Sequence, residues 1–146
     1  MELHRLLVPV VDNPESERAM DVACRLAEDR RASIAVLHVI EIPAVLPLGA
    51  HMDAEEQASH RLLERAASVA DRYGVGVVPR TLVDRDAGEA IVGFAARREI
   101  ELIVIGAPRK RSKPFGSTVE HVLHRADCRV LVIGEAAEQE QVTAAA

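Results

Sequence analysis

LIVIGAP (102–108), RKRSKPF (109–115), GSTVEHVLHRA (116–126) and CRVLVIG (128–134) follow one another near the C-terminal end of the chain. The first and last are apolar runs of strand character, and between them lie a cation-rich loop and a segment with apolar residues at helix-face spacing. A strand that feeds a loop and then a helix start turns unpaired backbone N–H groups and a positive dipole end outward together. That arrangement holds anions, so the stretch reads as a strand–loop–helix–strand unit with a phosphate or nucleotide site at its turn.

The same alternation runs through the rest of the chain. Five apolar runs stand out: Leu6 to Val11, Ile34 to Ile40, Val75 to Val83, Leu102 to Ile105 and Val130 to Ile133. Their near-continuous Val, Ile and Leu content predicts strands buried on both faces. Helical stripes separate them: Ala19, Ala23, Leu26 and Ala27; Leu62, Ala66, Val69 and Tyr73; Ile91, Phe94 and Ala95; Val119, Val122, Leu123 and Ala126. Strict alternation predicts an α/β, doubly wound parallel sheet with helices on both faces and ligands at the carboxyl ends of the strands. Two segments fall outside the pattern. Ile42 to Ala54, broken by Pro43, Pro47 and Gly49, reads as a loop whose Leu46, Leu48, His51 and Met52 either fold over a ligand or supply a few apolar contacts. Glu135 to Ala146, acidic and then alanine-rich, reads as a disordered tail, leaving 1–134 as one domain.

The 146 residues suffice for one domain that buries about two-thirds of its unfolded surface. With 23 acidic against 18 basic residues the net charge is −5, which argues against a general nucleic-acid binder. Cys24 and Cys128 are far apart and form no Cys-x-x-Cys pair, so a reducing cytoplasm is the expected setting. No apolar run approaches the roughly twenty residues needed to span a bilayer, and the first residues lead into no signal-peptide core, so neither membrane insertion nor processing is expected.

LIVIGAP, GSTVEHVL and CRVLVI together resemble the C-terminal signature of the universal stress protein family. LLVPV (6–10) resembles the family's opening strand, ESERAMDVACRLA its first helix, and SIAVLHVIE its second strand, so the resemblance covers residues 3 to 134. It implies the strand order 3-2-1-4-5, the adenine nucleotide alpha hydrolase-like fold, and a regulatory domain that binds AMP, ATP or a cyclic adenine nucleotide and signals to a partner. The positions that match the family's contacts are Pro9, Val10, Val11 and Asp12 at the first strand, Val39 at the second, and Gly106, Arg109, Lys113, Gly116, Ser117 and Thr118 at the last unit.

The chain departs from the nucleotide-binding pattern in three respects. Val11 stands where ATP-binding members carry aspartate, with Asp12 one residue late; Arg109 replaces the second glycine; and the loop to Gly116 is short. Arg85 likewise replaces a glycine often found before the third helix. Standard Mg-ATP binding is thereby put in doubt, and a second reading stands beside the first: a dimeric interaction module without nucleotide. The GAPRKR…FGSTVEHVL form also resembles stress-protein domains attached to, or encoded beside, bacterial transporters, so a transporter or another regulatory protein is the expected partner. Homodimers in the family join through the last strand, which implies a dimer through Val130 to Ile133.

Locally, Asp12 with Glu15, or Asn13 with Pro14, forms a helix N-cap, and Ser117 with Glu120 has capping-box spacing. His121, His124 and Cys128 fall on the side of the fourth helix opposite Val119 and Val122, but lack a fourth metal ligand. His38 reads as a satisfied core histidine. No nucleophile–base pattern appears, so no enzyme is expected, with weak ATP hydrolysis left open.

Overall fold

The computed structural model describes residues 3–108 and 115–134. The chain runs β1 (Arg5–Pro9), α1 (Pro14–Glu28), β2 (Ser33–Glu41), α2 (Asp53–Tyr73), β3 (Val77–Asp84), α3 (Ala87–Arg97), β4 (Leu102–Ala107), α4 (Ser117–Arg125) and β5 (Arg129–Gly134). All strand pairs are parallel, in the order β3-β2-β1-β4-β5. The tail at 135–146 and the cations Arg109, Lys110, Arg111 and Lys113 lie outside the described residues.

Side chains alternate between two cores because successive strand residues point to opposite faces. Leu6, Val8, Ile34, Val36, Leu102 and Val104 meet α1 and α2 on one face. Leu7, Leu37, Ile103 and Ile105 meet α3 and α4 on the other. Each such Leu, Ile or Val taken out of water contributes about 1.5–3 kcal/mol. Burial on both faces holds for the central strands: Leu6, Leu7, Val8, Ile103 and Val104 have no exposed surface. It fails for β3 and β5, where Val78, Val83 and Leu131 are exposed, because an edge strand has a neighbour and overlying helices on one flank only.

Helix ends follow their local chemistry. Asn13, not Asp12, caps α1: its side chain accepts from the Ser16 amide at 2.8 Å, with Pro14 at the first helical position. α2 stops at Gly74, whose φ of 68° lies in the left-handed region that favours glycine. Its last residue, Tyr73, donates its hydroxyl to the Asp21 carboxylate of α1, which also holds Arg25 at 3.3 Å. α4 departs from the expected stripe: Ala126 falls at the C-cap and Leu123 is exposed, so Val119 and Val122 alone are buried. His121 is not on an outer face either. A Cβ at Gly88 of α3 would lie 2.8 Å from the His121 Cβ, so the ring fills the gap between α3 and α4.

Candidate functional site

Sheet order reverses at β1, whose flanks are β2 on one side and β4 on the other, so the connections leave the carboxyl ends of β1 and β4 in opposite directions and open a crevice. A cleft of about 240 Å³ occupies it. Pro9, Val10 and Val11 supply one wall, and Leu37 and Val39 of β2 with Ile91 of α3 and Ile105 of β4 make it largely apolar. The β1–α1 turn below is internally satisfied. The Val10 amide donates to the Leu37 carbonyl, the Val11 amide to Ser16 Oγ at 3.0 Å, and the Asn13 amide to the Val11 carbonyl.

Three helices start at this cleft, and two of them are capped by side chains: α1 by Asn13, and α3 by Asp86, which accepts from the Glu89 amide at 2.9 Å. Ahead of α3, Glu41 Oε2 also accepts from the Ala87 amide at 3.1 Å. The third, α4, begins at Ser117 with Gly116 as its N-cap and no side-chain cap. This corrects the expected capping box: Ser117 is already the first helical residue, so its hydroxyl is not placed at the cap, and Glu120 uses its amide on the Gly116 carbonyl. With a glycine N-cap the first-turn amides have no side-chain acceptor among the described residues, and a helix start in that state is suited to an oxyanion. Gly116, Ser117 and Thr118 line the cleft, bringing that helix start and two hydroxyls to it.

Gly106, matched in the sequence to a phosphate-loop glycine, lines the same cleft and carries a packing role as well. A Cβ there would sit 2.5 Å from the backbone carbon and oxygen of Glu15, so glycine lets the first turn of α1 lie against the end of β4. Across the cleft from α4, Glu41 is the single titratable side chain lining it among the described residues. The cleft therefore offers amide and hydroxyl donors at one side, a carboxylate acceptor at another, and apolar surface between, a pattern suited to a small anion with a flat, hydrogen-bonding body.

Pro9, Val10, Val11, Val39, Gly106, Gly116, Ser117 and Thr118, grouped in the sequence by family resemblance, all line this cleft. Asp12 is not among them. It lines the neighbouring groove between α1 and α2, where Arg65 bonds its carboxylate at 3.2 Å. Arg109 and Lys113 lie outside the described residues. The sequence missed Asn13, Ser16, Leu37, Glu41, Ala87, Ile91, Ile105, Pro108 and Val119. Of these, Asn13 and Ser16 had a local signal, the Asn-Pro-x-Ser spacing of an N-cap. Leu46, Leu48, His51 and Met52 do not line the cleft; Arg85 instead ties the start of their loop, donating to the Ile42 and Pro43 carbonyls.

Other reactive groups stand away from the cleft. Burial, followed by the nearby carboxylates of Asp21 and Glu28, pushes the Cys24 thiol up to about 11, and burial raises the Cys128 thiol as well. His38 shares a sheet face with Thr81 of β3, and the Thr81 hydroxyl lies 2.7 Å from that of Ser59 of α2. It is not the satisfied core histidine expected: Nδ1 is buried with no hydrogen-bond partner, and burial holds its pKa below the ordinary 6.5. The fixed register of β2 explains this, because the strand's hydrogen bonds dictate where the ring lies and no acceptor comes opposite Nδ1.

A doubly wound parallel sheet with a crevice at its switch point belongs to the class of α/β proteins that hold their ligands at the carboxyl ends of the strands. The chain belongs to the universal stress protein family, whose family model matches residues 2–134. Among solved structures, it is similar to a universal stress protein from Archaeoglobus fulgidus at 26% identity, over 91% of this chain and 95% of that one, with a TM-score of 0.76. The universal stress protein from Archaeoglobus fulgidus in complex with dAMP gives 24% identity over 91% and 99%, with a TM-score of 0.75. A family protein from Arabidopsis thaliana with AMP bound gives 18% over 92% and 93%, with a TM-score of 0.66. No curated protein matches the chain. No helix among the described residues is long and apolar enough to cross a membrane.

Proposed function

We propose that this domain binds an adenine nucleotide in the cleft at the carboxyl ends of β1 and β4, and that occupancy changes the surface it shows to a partner protein. The observation that carries this reading is the α4 start: of the three helices that open on the cleft, it alone lacks a side-chain cap, and it faces apolar walls that end at Glu41. Phosphate at α4 and the base between Val39 and Ile105 follow from that polarity. The dAMP and AMP complexes among the similar structures support the ligand class. With Val11 in place of aspartate and Asp12 held by Arg65, the first strand brings no carboxylate to the cleft.

A specific observation favours a second reading, an interaction module without nucleotide. The Val11 amide is already used by Ser16, and no aspartate grips a ribose, so the sugar has fewer partners than the family pattern supplies. Titration calorimetry with AMP, dAMP, cyclic AMP and ATP, with and without Mg²⁺, separates the two. Saturable binding supports the sensor, while silence across all four favours the module. In either reading the domain acts as a cytoplasmic homodimer joined through Val130 to Ile133 of β5, with a transporter or other regulatory protein as its partner.

A further inference from the structure

On the α3 and α4 face of the sheet, at the end opposite the nucleotide cleft, a cavity of about 340 Å³ lies beneath the C-terminal turn of α3. Four arginines line it, from three elements: Arg5 of β1, Arg80 of β3, and Arg97 with its neighbour Arg98 at the end of α3. Its apolar floor includes Ala35, Val78, Phe94 and Ile100. In a chain with net charge −5, this is a local reversal of sign.

The arginines are poorly paired. Glu99 is the one carboxylate that lines the cavity among the described residues. It stands 3.9 Å from Arg5, with the two side chains 81% and 51% exposed, where an ion pair contributes little. Glu101 lies close by but spends its carboxylate on the His4 and Arg5 amides. Among the described residues Arg80 donates only to its neighbour's carbonyl at Pro79, and Arg98 lies over the Phe94 ring, 5.4 Å from the centroid. Arg97 has no carboxylate partner among the described residues. Cations at the end of α3 complement its dipole, which accounts for Arg97 and Arg98 but not for Arg5 and Arg80 on the strands.

We infer that this cavity is a second ligand site, one that takes a compact oxyanion carrying two or more phosphate or carboxylate groups. Guanidinium forks match both groups bidentately, and arginines spread over three elements fit several anionic groups on one body better than a single charge. The cavity is separate from the cleft: Ala87 and Ile91 of α3 face the cleft, while Phe94 and Arg97 face the cavity one to two turns further on.

The test is calorimetric titration of the full chain with inorganic pyrophosphate and, in parallel, citrate, which distinguishes phosphate from carboxylate as the preferred group. The double substitution Arg80→Gln and Arg97→Gln is expected to weaken binding by about tenfold or more, since each removes charge-assisted hydrogen bonds. Both side chains are exposed, and the double Arg→Lys form, which keeps the charges and loses the forks, gives an intermediate affinity. Glu99→Gln removes the competing carboxylate and tightens binding. No binding of either anion at millimolar concentration overturns the inference. So does binding that the Arg80 and Arg97 substitutions leave unchanged, because that anion then sits elsewhere, at the α4 start.

Discussion

Gly106 and His38 show how far single residues are set by distant neighbours. Gly106→Ala would force a methyl against the Glu15 backbone, which cannot rotate away as a side chain could. The expected cost is about 1–3 kcal/mol, read as a fall in the urea midpoint. His38 titrates against folding. Its folded pKa lies below its ordinary 6.5, so as pH falls through about 6.5 the unfolded chain takes up a proton that the native ring resists. Stability therefore declines between pH 7.5 and 5.5, and a His38→Val variant, which also removes the unpartnered Nδ1, loses less over that window. Denaturation at the two pH values checks this; equal losses in both proteins would remove His38 as the cause. Gly106 could be matched as a motif glycine, but its contact with Glu15, 91 positions away, and the solitude of His38 Nδ1 depend on how β4 and β2 register against other elements.

At the scale of elements, the start of α4 sets stability against binding. Gly116 has φ −75° and ψ 171°, an extended conformation open to any residue, so Gly116→Asp can install the cap that α4 lacks. It should raise thermal stability by a few tenths of a kcal/mol. It should also weaken AMP by about tenfold or more, because a carboxylate then occupies the amides that phosphate would use. Calorimetry and thermal melts on one sample test both halves; unchanged AMP affinity would move the phosphate away from α4. Strands were readable here from their apolar runs, with ends within about two residues, and helices from their apolar stripes but without their ends, because both patterns are local information. The caps were less so. The capping-box spacing at Ser117 and Glu120 was real, but the helix starts one residue too early to use it.

For the molecule as a whole, alternation of strand and helix predicts a parallel sheet but not its order, since crossovers of equal hand build several permutations; the order came from family resemblance and agrees with β3-β2-β1-β4-β5. About half of the residues that line the cleft were named in the same way, by matching the family's motifs at strand ends. Glu41 was not, because its role arises only when β2 comes to rest beside the start of α3. The exposed edge at β5 carries the proposed dimer, and Leu131, 37% exposed, is its exposed large hydrophobic side chain. Light scattering should give a dimer mass for the native chain and a monomer mass for Leu131→Asp; a native monomer would sink the proposed interface.

Tyr73, which ties α2 to Asp21 of α1, is the chain's one tyrosine, and there is no tryptophan. Near-ultraviolet light therefore passes this protein almost unabsorbed, so an adenine ring carried through purification would dominate the spectrum near 260 nm instead of hiding beneath aromatic background. The same phenol emits from one known place, beside a carboxylate that quenches it. Any movement that parts the two helices would brighten that emission, giving a label-free optical gauge of how the α1 and α2 layer responds when the cleft fills.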